Sequence, residues 1–502
     1  MSGSLVRFVS GISGIGYGVN VWPVAPPRTV SGVSQNSIGM VADLPWGPTN
    51  VITTVTTPAE FFAAFYPDVF NSGAKDYVTW PALLALLNKP LFTRGGLKVC
   101  RIEPTGAAKS AKTFDDVDGT DSVTVTASSY GLYGDQVQIA WSANGTTPTN
   151  RDMTVTIGSV YSMTYENVVT AALVVTDPGD PYCVVTKHVS CVKVPVVAVA
   201  AALAGGANGT AVAGDYVGTG EGVQQFYGAS IEVDVLFVAE CPTALVDDIN
   251  AGLVAYAGYD KGIVVYSTPS AQVSATALTY VSGESLQDDR GVYCWPRVKT
   301  TNFFSASVDE VTVDGNAFAA AAIANSDPWI SPGGAPGAQF LTGITGLEYE
   351  DTSRATLDSL RAAGVTPWFM SKAMGGAILA KAITTATAGT KVKQRRLRDY
   401  LEISLSNYAE LYVETPLDVD LAEQSLGEYS GSLIGAYNTF IENERIASHI
   451  KTYSVDPFSL NTEEGLDAGR WIIHVQVETW ADQDEIVLKT EIGETVTVTS
   501  ST

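Results

Sequence analysis

Three histidines and five cysteines are the chain's whole stock of imidazole and thiol chemistry. Cys100, Cys183, Cys191, Cys241 and Cys294 contain no CxxC pair, so a zinc site or a dithiol centre lacks its spacing. No GxSxG, HExxH or P-loop sequence occurs. His474 stands opposite Ile473 and Val475 in a strand-like pattern, and His449 lies in another strand-like stretch, 446–453. Both read as surface or packing residues, not as general bases. The chain is therefore expected not to be an enzyme, to carry no cofactor and to bind no metal.

Two further stretches invite a chemical reading and then fail a geometric requirement. Gly11, Gly14, Gly16 and Gly18 resemble a phosphate cradle, but such a loop must open a helix, and Pro23, Pro26 and Pro27 forbid one. Flexible glycines followed by stiff prolines read instead as an arm with a hinge. Asp115, Asp116, Asp118 and Asp121 contain carboxylates enough for calcium, yet their spacing is not that of an EF-hand loop, and they read as a solvated turn. The remaining concentration of charge is basic: Lys391, Lys393, Arg395, Arg396 and Arg398, at the start of a helical pattern in an otherwise acidic chain. Cations there oppose the helix dipole by a few tenths of a kcal/mol each, which a partner's carboxylate would offset.

The elements that must position these residues follow a mixed plan. Strand patterns at 38–41 and 97–102 alternate with helical patterns at 58–65, where Pro58 suits a first turn, and at 77–87. Between 115 and 204 come short alternating runs separated by Gly, Asn and Pro turns, as in a small β-domain. The α/β rhythm returns with strands at 231–239 and 263–266 and helices at 243–257 and 315–325. Leu397, Leu401, Leu405, Tyr408 and Tyr412 mark one terminal helix; Leu426, Tyr429, Leu433, Tyr437 and Phe440 mark a second. On that second helix Gly427, Gly431 and Gly435 recur at four-residue steps, a face another backbone approaches closely. Strand-like segments at 470–480, 485–488 and 495–499 close the chain. The expected domains are an arm at 1–30, a discontinuous α/β domain at 31–114 plus 205–345, and a β-rich insertion at 115–204. An α+β domain at 346–490 and a second arm at 491–502 follow.

At 502 residues, 46% hydrophobic and 16% charged, the chain is an ordered globular protein with room for several cores. A net charge of -24 excludes a general nucleic-acid surface, which needs clustered cations. The odd, scattered cysteines suit a reducing compartment. The N-terminus lacks the apolar core of a signal peptide, and the longest apolar run, 194–204, falls far short of the roughly 20 residues of a spanning helix. A soluble, unexported protein without membrane insertion is expected.

The order of several short motifs resembles that of the contractile tail sheath proteins of bacteriophages and related contractile particles. These are Ile38-Gly39-Met40-Val41 leading to Trp46-Gly47-Pro48, Ala59-Glu60-Phe61, 127–135 with Gly131 and Tyr133-Gly134, 203–209, 326–333, Arg395-Arg396-Leu397, and 484–488. The stretches 155–194 and 295–310 match only loosely. The resemblance implies an α/β core with an inserted outward-facing β-rich domain and a C-terminal α+β domain that faces an inner tube. It further implies strand exchange between copies through the arms, carried by Leu5, Val6, Phe8 and Val9 at one end and Val496 and Val498 at the other, with Gly11, Gly14, Gly16 and Gly18 as the hinge. The implied role is a structural subunit that polymerises helically around the tail tube and contracts to drive it through a target envelope. Implied partners are further copies, the tube protein, and baseplate and tail terminator proteins; the implied location is the virion, after assembly in the host cytoplasm. Lys391, Lys393, Arg395, Arg396 and Arg398 are the expected tube contact, and charge reversal at Arg395 and Arg396 is expected to weaken assembly while leaving folding intact. The rival of a different class is a β-rich surface or adhesive protein, for which sequons such as Asn208-Gly209-Thr210 would suit export.

Overall fold

The computed structural model describes residues 37–70, 96–227, 233–259, 262–301, 310–341, 343–350, 353–386, 390–413 and 415–480. The expected arm residues Leu5, Val6, Phe8, Val9, Gly11, Gly14, Gly16, Gly18, Val496 and Val498, the helix at 77–87 and the strands at 485–488 and 495–499 lie outside them. The chain divides into two compact units, one containing the described residues 37–403 and the other Ser404–Trp480.

In the first unit, strands β1 (Ile38–Ala42), β2 (Ile52–Val55) and β3 (Leu97–Arg101) precede a run of seven: β4 (Lys109–Asp115), β5 (Asp121–Tyr130), β6 (Val137–Ala143), β7 (Arg151–Ile157), β8 (Tyr161–Val169), β9 (Cys183–Lys187) and β10 (Ala198–Ala202). Then come β11 (Val235–Val238), β12 (Ile263–Tyr266), β13 (Gly291–Trp295), β14 (Val298–Thr301), β15 (Glu310–Val313), β16 (Ile344–Leu347), β17 (Val365–Ser371) and β18 (Gly376–Leu379). The helices used below are α1 (Pro58–Phe65), α2 (Val246–Tyr259), α3 (Ser274–Gly283), α4 (Asn316–Asn325), α5 (Arg354–Ala362), α6 (Val392–Ala409) and α7 (Glu428–Ile446).

An eight-stranded sheet in the order β18-β17-β13-β12-β11-β1-β3-β2 organises the first unit. Its six inner strands are parallel, and β2 and β18 pair antiparallel at the edges. Helical crossovers cover both faces, which is why β1, β11, β12 and β13 are continuous apolar runs buried at every position. Alternation along each strand divides the side chains between two cores. Met40, Val99, Phe237 and Val265 meet α1 and the alanine-rich α4; Val41, Cys100, Leu236 and Val264 meet Ile249, Leu253 and Tyr256 of α2, Val281 of α3 and Leu360 of α5. Every residue of α4 is buried, because its alanines let sheet and neighbours close on the helix from all sides.

Helix α1 shows how a short sequence secures its own ends. The Thr57 hydroxyl accepts from the Glu60 N–H, Pro58 takes the first turn, and the Glu60 carboxylate accepts from the Thr56 N–H and hydroxyl. Phe61 and Phe65 then fall on one face, each burial contributing roughly 2 kcal/mol. The turn below accommodates them only because residue 47 is glycine: its φ is +104°, and a Cβ would come within 2.8 Å of the Phe65 ring.

The β-rich region contributes sheets β4-β5-β9 and β10-β6-β7-β8, which share a core of Val123, Val125, Ile139, Trp141, Val155 and Val185. Its limits are wider than the expected 115–204, since β4 starts at Lys109 and the outgoing and returning chains pair with each other. Isolated bridges join Thr105 to Thr210, Ala108 to Ala207 and Ala111 to Ala204. The acidic stretch is the β4–β5 turn, where the Asp116 carboxylate accepts from the N–H groups of Asp118 and Thr120. Residues 346–403, expected in the C-terminal domain, instead supply β17, β18 and the first turns of α6 to the first unit. The correction has a plain cause: Val365–Ser371 completes the parallel sheet beside β13, and strand pairing joins segments that sequence separation keeps apart.

Candidate assembly surface

Within Ser404–Trp480, α7 provides the scaffold. Its N-cap position is Gly427, which has no side chain to cap with; Asp418 does so instead, accepting from the N–H groups of Tyr429 and Ser430 at 3.0 and 2.8 Å. Burial acts to raise the Asp418 pKa, but the bonds from Ser430 and Tyr429 prevail and hold it below the usual carboxylate range. The glycine is required by its neighbour: a Cβ at 427 would lie 2.2 Å from that carboxylate, whereas Gly431 has nothing closer than 3.8 Å and Gly435 nothing within 4 Å. The four-residue glycine stripe is thus one close approach and two open positions.

Behind α7, a hairpin of β19 (Val419–Asp420) and β20 (Ser425–Leu426) precedes the helix, and β21 (Thr452–Asp456) pairs antiparallel with β22 (His474–Glu478) after it. Tyr453 opposite Val477 and Val455 opposite Val475 make the half-buried face, and the Tyr453 hydroxyl donates to the Asn438 carbonyl of α7. The other face is polar, with Ser454 opposite Gln476 and Asp456 opposite His474. Among the described residues both outer edges of this two-stranded sheet are unpaired. A two-stranded ribbon is marginal alone, and its free N–H and C=O groups invite a further strand. The helix α7 runs to Ile446 and the strand begins at Thr452, so the expected strand at 446–453 is mostly helix end and turn. His449 accordingly sits in that turn, beside the Glu444 carboxylate.

The basic stretch is arranged differently from its expected role. Lys393, Arg395 and Arg396 are 7%, 6% and 2% exposed, Lys391 is half-buried, and Arg398 alone of the five is an exposed side chain, paired with Glu402. Arg395 and Arg290 both donate to Asp399, and Arg395 also reaches Asp289 at 2.7 Å. Burial would lower the Arg395 pKa, but Asp399 and Asp289 raise it instead. Arg396 donates to the Ser326 carbonyl at 2.6 Å, and full burial pushes its pKa down to about 10 against the pull of Asp234 and Asp327. The expectation of five surface cations is corrected for Lys393, Arg395 and Arg396. Helical periodicity turns these positions inward with Leu397 and Tyr400, and the chain's own carboxylates neutralise the cations that follow.

This arrangement accounts for two motifs at once. The 326–333 loop and the start of α6 are partners: Arg396 holds Ser326, and Trp329 lies edge-on to Tyr400 with ring centroids 5.8 Å apart. A third junction centres on Arg101, which donates to the carbonyls of Leu44, Gly47 and Tyr130 and to the Ser129 hydroxyl. It ties the Trp46-Gly47-Pro48 turn to the end of β5. Asp135 accepts from the Ser110 hydroxyl and the Gly206 N–H, and Asn208 accepts from the Leu132 N–H, so 127–135 and 203–209 form the neck of the β-rich region.

The sequence also carries a charge imbalance in the second unit: residues 404–480 contain thirteen acidic residues against three basic ones. Among the described residues no cluster of three or more His, Cys, Asp or Glu is disposed to hold a metal, and no helix is long and apolar enough to cross a membrane.

No family model and no curated protein matches the sequence. Solved structures do match the fold. The sheath tail protein from Desulfitobacterium hafniense is 14% identical, with a TM-score of 0.58 over 92% of this chain and 100% of that one. The sheath tail protein from Listeria innocua is 12% identical, with a TM-score of 0.56 over 90% and 96%. The helical sheath of the anti-feeding prophage in its contracted state is 12% identical, with a TM-score of 0.55 over 96% and 99%.

Proposed function

We propose that the chain is the structural subunit of a contractile sheath, polymerising helically around an inner tube and shortening to drive that tube through a target envelope. The observation that carries this reading is a fold shared with sheath proteins over nearly the whole of both chains, including a sheath in the contracted state. Its partners are further copies, a tube protein, and baseplate and terminator proteins. Its location is the tail of a virion assembled in the host cytoplasm, and its role is mechanical, without catalysis.

The β21–β22 ribbon supports the mode of assembly. Its open edges suit arm strands from other copies, Leu5, Val6, Phe8 and Val9 from one end and Val496 and Val498 from another, with Gly11, Gly14, Gly16 and Gly18 letting each donor rotate. Tube contact through 391–398 narrows to Arg398 and the half-buried Lys391. The acidic excess of 404–480 favours basic groups on whatever surface that unit meets.

Negative-stain imaging of the purified chain, alone and with tubes of its partner protein, tests the assignment. Rings or long striated cylinders are the expected result; discrete monomers under both conditions overturn it.

A further inference from the structure

At the carboxyl ends of β11 and β12 lies a cluster of charge. Arg297, between β13 and β14, pairs with Glu240, which follows β11. Asp314, between β15 and α4, is 2% exposed; its carboxylate accepts from the Thr268 and Asn316 N–H groups at 3.0 and 3.2 Å, and its own N–H donates to Glu240 at 2.6 Å. Glu348, just after β16, accepts from the Ala271 N–H at 3.0 Å, while its second oxygen is buried without a hydrogen-bond partner. Arg297 feels all three carboxylates. The other groups facing Asp314 are the Cys241 and Cys294 thiols and the Tyr293 hydroxyl, which burial keeps protonated. Lys299 on β14 points away, to Glu310.

Among the described residues, one cation against three carboxylates is a shortage of positive charge in a place where unpaired charge is costly. The Asp399 cluster makes the contrast, since Arg290 and Arg395 there balance Asp399 and Asp289. The shortage also falls at a joint. These residues join the sheet β15-β14-β16 to the ends of β11 and β12: Glu240, Thr268 and Ala271 on the side of β11 and β12, Arg297, Asp314 and Glu348 on the side of the small sheet.

We propose that Asp314, buried beside Arg297, Glu240 and Glu348, retains a proton as a structural component of this joint, and that losing it as pH rises loosens the β15-β14-β16 sheet from the ends of β11 and β12. Burial raises the Asp314 pKa to about 7, Glu240 adding to the effect and Arg297 opposing it. A carboxyl raised in the closed joint binds a proton there that it sheds when the joint opens. The stabilisation is therefore full below the ordinary Asp value of about 4, is lost progressively as pH rises towards 7, and is gone above it.

Hydrogen exchange of the full chain, read on peptides covering 266–272 and 313–317 and corrected for intrinsic rates, tests the proposal. The opening constant is expected to rise roughly tenfold per pH unit from about 5 to 7 and then level off. Asp314→Asn, which keeps an acceptor but cannot ionise, is expected to flatten the profile. A flat wild-type profile, or a slope unchanged in Asp314→Asn, overturns the proposal. If that variant does not fold, Glu240→Gln serves: removing the neighbouring charge moves the levelling to lower pH, and an unmoved profile overturns the idea equally.

Discussion

Asp399 accepts from two guanidinium groups at once, and its neighbour Arg398 points into solvent, so adjacent residues on one helix carry opposite consequences. Asp399→Asn leaves Arg290 and Arg395 buried without their shared anion, at an expected cost of about 3 kcal/mol. Arg398→Ala breaks an exposed i,i+4 pair and is expected to shift stability by no more than about 0.5 kcal/mol. Urea midpoints of the purified variants check both, and equal losses would mean that burial is not what separates them. Charge reversal at Arg395 or Arg396 belongs with the first case: it would unfold the unit before it could report on a tube. The variant that addresses tube contact without that confusion is Arg398→Glu. Arg101 is a residue of the same kind as Arg396, a buried cation that serves carbonyls where chain segments converge.

At the scale of elements, α7 separates glycines that look alike in sequence. Gly427→Ala drives a methyl into the Asp418 carboxylate and is expected to cost about 1–3 kcal/mol, by displacing the cap. Gly435→Ala meets open space and is expected to stabilise the isolated subunit by up to about 1 kcal/mol, the helix propensity difference. Thermal unfolding of the two variants reads the opposite signs. If Gly435→Ala is stabilising and yet impairs ring formation, its open face is one that another copy covers. The β21–β22 ribbon is the complementary element, two strands whose outer edges have no partner strand among the described residues.

For the whole molecule, the described residues fall into two compact units of unequal completeness. The first unit has two complete cores on either side of a large sheet, while Ser404–Trp480 ends in a ribbon too small to stand alone. Removing residues 1–20 is expected to leave subunits that fold, with unchanged circular dichroism and a single unfolding transition, but that fail to form stable cylinders. Long contractile cylinders from the trimmed chain under the electron microscope would mean that strand exchange through this arm is not the fastener.

The sequence by itself determined the kind and order of most elements: the strands at 38–41 and 263–266, the helix at 58–65 with proline in its first turn, the two terminal helices and the β-rich run after residue 115 all follow from local periodicity and turn chemistry. Motif order pointed to the fold without any motif being specific. Tertiary structure alone decided which charges are surface charges. Arg395 and Arg398 stand in one basic run, and Asp289 and Arg290, arriving from over a hundred residues away, complete the buried charge cluster around the first while the second pairs with Glu402 at the surface. It also decided where the first unit ends, because β17 joins β13 by parallel pairing, and nothing in a strand's own sequence names the strand it will lie beside.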